Sequence, residues 1–378
     1  MTTTITKSAP SQSAIPLLDL KAQYDSIRDE IRSAIDAVCE SQRFIGGPEV
    51  VACEEEIARY SDCRFAIGMT SGTDALLCAM MAMGIGPGDE VIVPSFTFFA
   101  TAGCVSRLGA KPVFVDADPD TFNTTAKHVE RAMTSRVKFY HDSTSVAEMG
   151  AILELAKTRK IPVMEDAAQS IGSSQNGRKA GSMGLCGTLS FFPSKNLGAF
   201  GDAGMIVTND EAFADRCRLF REHGAKPKYY HKWIGGNFRL DAIQAAVIRV
   251  KLRHLDGWSR KRAENAKRYD SLLAGSSVKT PRIAQGNVSI YNQYVIRSTK
   301  RDALLEHLKS SGIGTEVYYP VPLHLQECFA HLGGKRGDLA HCEQAASEVL
   351  AIPIYPELTT QMQERVAKTI LDFAGQAV

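Results

Sequence analysis

Apolar and polar residues alternate in blocks between about residue 55 and residue 245. Short runs of apolar and β-branched residues are each followed by a stretch whose apolar residues recur every three or four positions, the spacing of a helix with one buried face. Strands and helices that alternate in this way predict an α/β fold with a mostly parallel sheet and helices on both of its faces. The predicted strands cover 66–69, 90–95, 111–117, 161–167, 188–193 and 204–209, and the predicted helices cover 72–83, 98–108, 126–133 and 145–159.

The flanking regions follow a different pattern. Before the alternating block, apolar residues at helical spacing predict a helix that ends near Ser41, with Ile27, Ile31, Ile35 and Val38 on its buried face. After Leu240, the pattern predicts a long helix followed by a short mixed unit, made of strands at 291–298 and 315–320, a helix at 301–311 and two further helices. We therefore predict a disordered tail at 1–14, a large domain with the N-terminal helix at 15–245, and a small α+β domain at 246–378.

One segment of the alternating block is weak. The helices predicted to end near 133 and to begin near 145 need a strand between them, because consecutive crossover helices of a parallel sheet normally have one. Residues 136–145 supply only Val137, Phe139 and Tyr140 as apolar members. A missing strand would remove the pairing beside the strand of 161–167 and misplace a site at its end. This segment therefore raises the alternative of a protein that binds its ligand without catalysing a reaction.

Composition and charge exclude several classes of protein. The chain has 378 residues, of which 44% are hydrophobic, so it can bury a large core and general disorder is excluded. Lys and Arg total 44 against 42 Asp and Glu, a formal charge of +2. A field this weak argues against nucleic acid or an anionic membrane as the main partner. The most apolar stretch, 91–105, is interrupted by Pro94 and Gly103 and is shorter than the roughly 20 residues of a membrane span.

The cysteines and the N-terminus indicate the compartment. The nine cysteines are odd in number and never spaced as C-x-x-C, which argues against a disulfide framework or a zinc site. The N-terminal residues lack the apolar core of a signal peptide, so no export is implied. We predict a soluble protein of the reducing cytoplasm.

Two short motifs could each hold part of a ligand. TSGTDAL, residues 70–76, follows a strand and opens a helix, so the backbone N–H groups of Gly72 and Thr73 point to a place for a phosphate. An ordinary helix N-cap is the alternative. EDAAQS, residues 165–170, puts Asp166 at the carboxyl end of a strand, where ligands of parallel sheets bind, with Gln169 one turn later. A cap of the following helix is the alternative for Asp166.

A third motif contains a lysine among apolar residues and glycines. In SFFPSKNLGAFGDAG, residues 190–204, burial would lower the pKa of the Lys195 amine and make it a nucleophile for an aldehyde. The alternative is a surface lysine in a mobile glycine loop. The three motifs together match what pyridoxal phosphate requires: a phosphate anchor, an acid that keeps the pyridine nitrogen protonated, and a lysine that binds the aldehyde.

Longer stretches of the chain carry a resemblance to a known family. The chain resembles the DegT/DnrJ/EryC1/StrS family of sugar aminotransferases, which have the aspartate aminotransferase fold, also called fold type I. The resemblance extends over roughly residues 15 to 375 and includes several long motifs in the order of the family, namely GPGDEVIVPSFTFFAT, EDAAQSIG, FFPSKNLGAFGDAGMIVTND, GGNFRLDAIQAAVIRVKL and GTEVYYPVPLH.

The resemblance implies roles for the residues around the cofactor. Lys195 would bind the aldehyde and carry protons, and Asp166 would be the partner of the pyridine nitrogen. Gln169 would lie near the ring hydroxyl of the cofactor. The phosphate would be held by Ser190, Gly72 and Thr73. Phe98 would stack on the pyridine face, with plain core packing as its alternative.

The resemblance also implies a homodimer with shared active sites. Asn237 matches a residue that reaches the phosphate from the neighbouring subunit, with a loop cap as its alternative. His324 and Tyr318 match positions at the substrate mouth. Tyr229 belongs to a basic, aromatic loop that would meet a nucleotide diphosphate, unless it is a solvated charged loop; Lys226, Tyr230 and His231 are its other members.

The implied reaction is a two-stage transamination. L-Glutamate would give its amino group to the cofactor, and a nucleotide-linked ketosugar would then accept it. The PSKNLGAFGDAG and GGNFRLD motifs most resemble those of enzymes that aminate the 3-keto position of dTDP- or UDP-linked hexoses or their uronates. The related dehydratases carry histidine in place of lysine, so Lys195 argues against that branch, whereas enzymes that aminate cyclitols or make aminohydroxybenzoate stay open. The non-catalytic alternative would be a family member that binds the cofactor or a sugar nucleotide.

Overall fold

The computed structural model describes residues 13–142 and 148–375, so most of the predicted tail at 1–14 lies outside the described residues. The helices are α1 (Leu20–Ser41), α2 (Pro48–Tyr60), α3 (Gly72–Met83), α4 (Ala100–Arg107), α5 (Ala126–Arg131), α6 (Met149–Arg159), α7 (Glu211–Arg221), α8 (Ala242–Leu272), α9 (Arg301–Ser310), α10 (Ala340–Glu348) and α11 (Thr360–Gly375). The strands are β1 (Phe65–Met69), β2 (Glu90–Pro94), β3 (Lys111–Val115), β4 (Val137–Asp142), β5 (Val163–Asp166), β6 (Ser174–Gln175), β7 (Arg178–Lys179), β8 (Cys186–Ser190), β9 (Gly204–Thr208), β10 (Asn287–Val288), β11 (Tyr294–Arg297) and β12 (Val349–Ile352).

A seven-stranded sheet forms the centre of the molecule, in the order β1-β9-β8-β5-β4-β2-β3. β9 runs antiparallel to both of its neighbours, and the other pairs are parallel. The six strands other than β9 all run in the same direction, so their carboxyl ends meet at one edge of the sheet. The predicted α/β fold with a mostly parallel sheet is confirmed.

Helices cover both faces of this sheet because successive strand residues point to opposite sides. Val91 and Val93 of β2 pack in the core with α3, α4 and α7. Ile92, between them, packs in a separate core with α6. On the side of β9, Met205 and Val207 pack against α2 and α8. The sheet is therefore the middle layer of three.

The weak segment at 136–145 contains the strand that the alternation requires. β4 pairs in parallel with β2 on one side and with β5 on the other, where Tyr140 lies opposite Val163 and Asp142 opposite Glu165. The register with β2 shifts between Glu90 and Val91. Residues 143–147 lie outside the described residues. The pairing beside β5 is present, so the reason for expecting a misplaced site is removed.

The C-terminal part packs around its own core. β11 and β12 form an antiparallel pair, and Tyr294 and Ile352 pack with Tyr269 of α8 and with Ile15. α8 has 31 residues and runs unbroken across the predicted boundary at 245 and 246, which stays a prediction. Neither α8 nor any other helix of the described ranges is both long and apolar enough to cross a membrane.

The predicted strand at 315–320 is wrong. This segment makes one isolated bridge, between Glu316 and Ala351, and its Tyr319 ring then packs against Phe96 of the large domain. Pro320 and Pro322 have no backbone N–H to donate to a ladder. The strand that pairs with β11 is β12, which the sequence pattern did not separate from its flanking helices.

Buried Glu165 anchors the loop after β7 to the strand that ends in Asp166. Its carboxylate accepts hydrogen bonds from the backbone N–H groups of Gly181 at 2.8 Å, Met183 at 2.6 Å and Gly184 at 2.7 Å. Burial raises the pKa of Glu165, and these three donors oppose that shift. Glu165 and Asp166 point to opposite faces of β5, so this anchor fixes the strand from behind the site.

Replacement of Glu165 by Ala should leave three buried N–H groups without an acceptor. Each unsatisfied donor costs about 1–3 kcal/mol, so we expect the free energy of unfolding to fall by about 3 kcal/mol or more. Urea unfolding of the cofactor-free protein measures the change. Glu154→Ala, at an exposed position of α6, is the matched control and should change it by less than about 0.5 kcal/mol. Equal midpoints for the two variants would contradict the anchoring role.

Candidate active site

The carboxyl ends of β5 and β8 bring two of the predicted motifs together. The strands are parallel neighbours, with Asp166 opposite Thr188, so Asp166 and the loop that follows Ser190 lie at the same edge of the sheet. A cavity of about 770 Å³ opens at this edge. Eight of the predicted site residues line it, namely Gly72, Thr73, Phe98, Asp166, Gln169, Ser190, Lys195 and Tyr318.

Asp166 is a carboxylate held by several donors at the floor of the cavity. It accepts hydrogen bonds from the backbone N–H of Ala168 at 3.1 Å and from Oγ1 of Thr101 at 3.3 Å. Burial raises the pKa of Asp166, while the Ala168 N–H, the positive charge of Lys195 and the Thr101 hydroxyl act in the opposite direction. The side chain is therefore fixed in place and aimed at the cavity.

Lys195 lies in a tight loop directly after β8. Its backbone N–H donates to the carbonyl of Phe192 at 2.8 Å. Burial lowers the pKa of its amine, and the negative charge of Asp166 opposes the shift. An amine with a lowered pKa is a better nucleophile near neutral pH than a solvated lysine, as the reaction with an aldehyde requires. The charges of Lys195 and Asp166 thus each oppose the pKa shift that burial imposes on the other residue.

The N-terminus of α3 also lines the cavity, next to Ser190. Its first backbone N–H groups have no partner inside the helix and carry the positive end of the helix dipole. Ser71 caps this helix, because its hydroxyl accepts from the N–H of Asp74 at 3.0 Å. A Cβ atom at Gly72 would lie 2.7 Å from Cβ of Ser190, so only glycine leaves this cradle open. The cradle, the hydroxyl of Ser190 and the acid at Asp166 fit the phosphate and the ring of pyridoxal phosphate.

Gln169 is held by two residues that the sequence analysis did not find. Its Nε2 donates to Oη of Tyr319 at 3.1 Å, and its Oε1 accepts from Nδ2 of Asn292 at 3.0 Å. Both partners line the cavity, and burial raises the pKa of Tyr319 to about 12. They lie more than 120 residues along the chain from Gln169, so no local pattern relates them. The C-terminal part of the chain thus orients a residue of the large domain.

Two threonines of the segment after β2 were also missed. Thr101 is fully buried, and its hydroxyl is 3.3 Å from that of Thr97 as well as bonded to Asp166. Thr97 precedes α4 and Thr101 lies in its first turn, so no helical spacing relates the two threonines in the sequence. Phe98, between them, lines the cavity and is 55% exposed, which does not fit core packing. Its stacking on a pyridine ring stays a prediction.

Three predicted residues do not line the cavity within the part of the chain that the structure describes. Asn237 and Tyr229 lie on an exposed surface, where Asn237 forms a backbone bridge with Glu222. His324 is buried, with Nδ1 at 2.8 Å from Oγ of Ser95 and Nε2 at 3.3 Å from Glu343. These contacts attach the segment after Pro322 to the end of β2. The roles of all three at a substrate site stay predictions.

The family model for the DegT/DnrJ/EryC1/StrS aminotransferase family matches residues 25–371. The chain belongs to this family. The resemblance found in the sequence is thereby confirmed, and the protein is an aminotransferase that uses pyridoxal phosphate, the cofactor of the family.

Three of the relatives that match over nearly the whole chain illustrate the similarity. The chain is 49% identical to the pleiotropic regulatory protein of Geobacillus stearothermophilus, with 95% of this chain and 98% of the relative covered. It is 40% identical to dTDP-3-amino-3,4,6-trideoxy-alpha-D-glucose transaminase of Streptomyces venezuelae, with 95% and 96% covered. It is 41% identical to UDP-N-acetyl-3-dehydro-alpha-D-glucosamine 3-aminotransferase of Acidithiobacillus ferrooxidans, with 94% and 97% covered.

A solved structure shows the same fold. The crystal structure of Streptomyces venezuelae DesV in complex with a ketimine intermediate superposes with a TM-score of 0.94 at 40% sequence identity, covering 96% of this chain and 99% of that chain. The predicted fold type I architecture is confirmed.

Replacement of Asp166 by Asn should lower the pKa of Lys195 further. The carboxylate raises the pKa of the neighbouring amine, so its removal leaves the lowering by burial unopposed. We expect the pH midpoint for labelling of Lys195 in the cofactor-free protein to move to lower pH. Quantitative mass spectrometry after brief amine acetylation measures this midpoint. Asp202→Asn, at another residue lining the cavity, is the control. A midpoint in Asp166→Asn that moves no further than in Asp202→Asn, or that moves to higher pH, would contradict the electrostatic pairing of Asp166 with Lys195.

Proposed function

We propose that this enzyme transfers the amino group of L-glutamate to the 3-keto carbon of a dTDP- or UDP-linked sugar. The observation that carries the proposal is that Asp166, Lys195 and the open cradle at Gly72 line one cavity. Two relatives named for 3-amino transfer on dTDP- and UDP-linked sugars support the position and the class of acceptor. With β4 in place, no feature of the described residues favours the non-catalytic alternative.

The residues of the chain divide the work of such a transfer. Bound pyridoxal phosphate supplies an aldehyde that accepts the amino group and a ring that withdraws electrons from the reacting carbon. Asp166 would hold a proton on the pyridine nitrogen, and its donors at Ala168 and Thr101 keep the carboxylate aimed there. Gly72, Thr73 and Ser190 would hold the phosphate and so fix the ring.

Lys195 would then serve as the general acid and base. The lowered pKa favours the unprotonated form of its amine near neutral pH, and this form would take a proton from the substrate and return it. Phe98 and Tyr318, which line the same cavity, would shield the reacting atoms from water. Gln169, oriented by Tyr319 and Asn292, would lie beside the ring hydroxyl.

We further propose that the active unit is a homodimer in the cytoplasm. Large apolar side chains are exposed on one loop, with Tyr229 at 78%, Tyr230 at 71% and Ile234 at 92%, a degree of exposure that favours a partner surface. Asn237 follows this loop, so a second copy could deliver it to the cofactor's phosphate. All nine cysteines are free thiols, which supports a reducing compartment.

L-Glutamate should convert the visible absorbance of the pyridoxal phosphate enzyme to that of pyridoxamine phosphate. Addition of a dTDP- or UDP-linked 3-keto hexose should then restore the first spectrum. A 4-keto isomer should restore it at least tenfold more slowly, because its misplaced carbonyl needs to raise the activation free energy by only about 1.4 kcal/mol for a tenfold effect. Lys195→Ala, which lacks the reacting amine, is the control. A spectrum that glutamate leaves unchanged would sink the proposed donor, and faster recovery with the 4-keto isomer would sink the proposed position.

Mixing two inactive variants tests the shared site. In a dimer of one Lys195→Ala and one Asn237→Ala protomer, one of the two sites has neither change if Asn237 crosses to the partner. We expect statistical exchange to restore roughly a quarter of wild-type activity, because half of the dimers are mixed and each has one intact site. Steady-state turnover after subunit exchange measures it. Activity that never exceeds the mean of the two parent variants would argue that each site is built from one chain.

A further inference from the structure

Lys251 of α8 is a buried cation that the proposed reaction does not use. Its side chain is 3% exposed, and its Nζ donates to the backbone carbonyl of Gly198 at 2.7 Å. Within the described ranges, no carboxylate forms an ion pair with it. Burial lowers the pKa of Lys251 to about 8. A charge buried without an ion pair costs free energy, so a lysine at this position calls for a functional reason.

The carbonyl that Lys251 binds belongs to the loop of Lys195. Gly198 is three residues after Lys195, and the loop closes on itself through Lys195 N–H to Phe192 O at 2.8 Å and Ala199 N–H to Phe191 O at 2.7 Å. A Cβ atom at Gly198 would lie 2.3 Å from the carbonyl oxygen of Pro193. The two arms of the loop are therefore in contact, and a displacement of Gly198 displaces Lys195.

A second side chain of α8 holds the same loop. Oε1 of Gln244 accepts a hydrogen bond from the backbone N–H of Phe200 at 2.8 Å. Gln244 and Lys251 are seven residues apart, which puts them about two turns apart on one helix face. Nζ of Lys251 also lies 5.1 Å from the centre of the Phe200 ring. One face of α8 thus holds the loop at two points beyond Lys195.

We propose that Lys251 is a positioning residue for the reaction: through the Gly198 carbonyl, it fixes the loop that presents the Lys195 amine to the cavity. The inference rests on the proposed function of Lys195. A cation suits this task because a charge-assisted hydrogen bond to a carbonyl is shorter and stronger than a neutral one. Gln244 supports the same loop and gives an independent test.

Labelling of the cofactor-free protein reads the position of Lys195 without any turnover. Asp166 is the charged group that acts on this amine. In Lys251→Met, a loosened loop exposes the amine to water, so the pH midpoint for its acetylation rises toward the ordinary lysine value. We expect the unprotonated fraction of Lys195 at neutral pH to fall about tenfold. Lys251→Arg keeps a cation that can reach the carbonyl and should restore most of the wild-type midpoint.

Kinetics of the cofactor-loaded enzyme give the second readout. We expect Lys251→Met to lower kcat ten- to a hundredfold, since a displacement of about 1 Å can have that effect, while KM for the amino donor changes less than threefold. Gln244→Ala should shift the labelling midpoint of Lys195 and kcat in the same directions as Lys251→Met. It replaces Lys251→Met as the test if that variant does not fold. Lys267→Met, an exposed position on the same helix, is the matched control.

Two failures can be told apart. Wild-type protein that forms no visible band with pyridoxal phosphate would overturn the proposed function of Lys195. A wild-type band together with unchanged labelling and kcat in Lys251→Met, or in Gln244→Ala if Lys251→Met does not fold, would overturn the positioning role alone. Effects of Lys267→Met as large as those of Lys251→Met would also overturn it.

Discussion

The site depends on one electrostatic constraint, the juxtaposition of the Asp166 carboxylate and the Lys195 amine in a place that excludes much of the water. Burial alone disfavours the charged form of both groups, raising the pKa of Asp166 and lowering that of Lys195. Each charge opposes the shift of the other. An acid that can stay ionised opposite a ring nitrogen and an amine that can lose its proton are both requirements of pyridoxal phosphate chemistry. The pair supplies both with two side chains.

The fold keeps this pair together through the pairing of the strands whose ends reach the cavity and through contacts behind them. β5 and β8 must be parallel neighbours for Asp166 and the Lys195 loop to share an edge, and β4 must pair with β5 on its other side. Glu165 fixes β5 from behind through three backbone donors. Glu165, a buried polar residue behind the site, therefore holds the backbone segment that carries Asp166.

Local patterns in the sequence predicted the parts of the site that depend on neighbouring residues. The helix at 72–83 was predicted with the bounds that the structure has, and Asp166 and Lys195 both follow buried strands as expected. Local patterns cannot predict contacts between segments that are distant in the sequence. The hydrogen bond that Gln169 donates to Tyr319 joins residues 150 positions apart, and the contact of Ser95 with His324 joins residues 229 positions apart, so only the folded chain relates them. The wrong strand at 315–320 has the same origin, because Tyr319 packs against Phe96 of the large domain and the segment joins no sheet.

The most direct test of the account is to find which residue binds the cofactor. Borohydride reduction of the protein with pyridoxal phosphate, followed by digestion and peptide mass spectrometry, fixes the attachment in place. The account predicts the reduced cofactor on the peptide that contains Lys195, at about one per chain, and its loss in Lys195→Ala. Attachment at another lysine, or scattered over several surface lysines, would contradict the central role of the Asp166 and Lys195 pair.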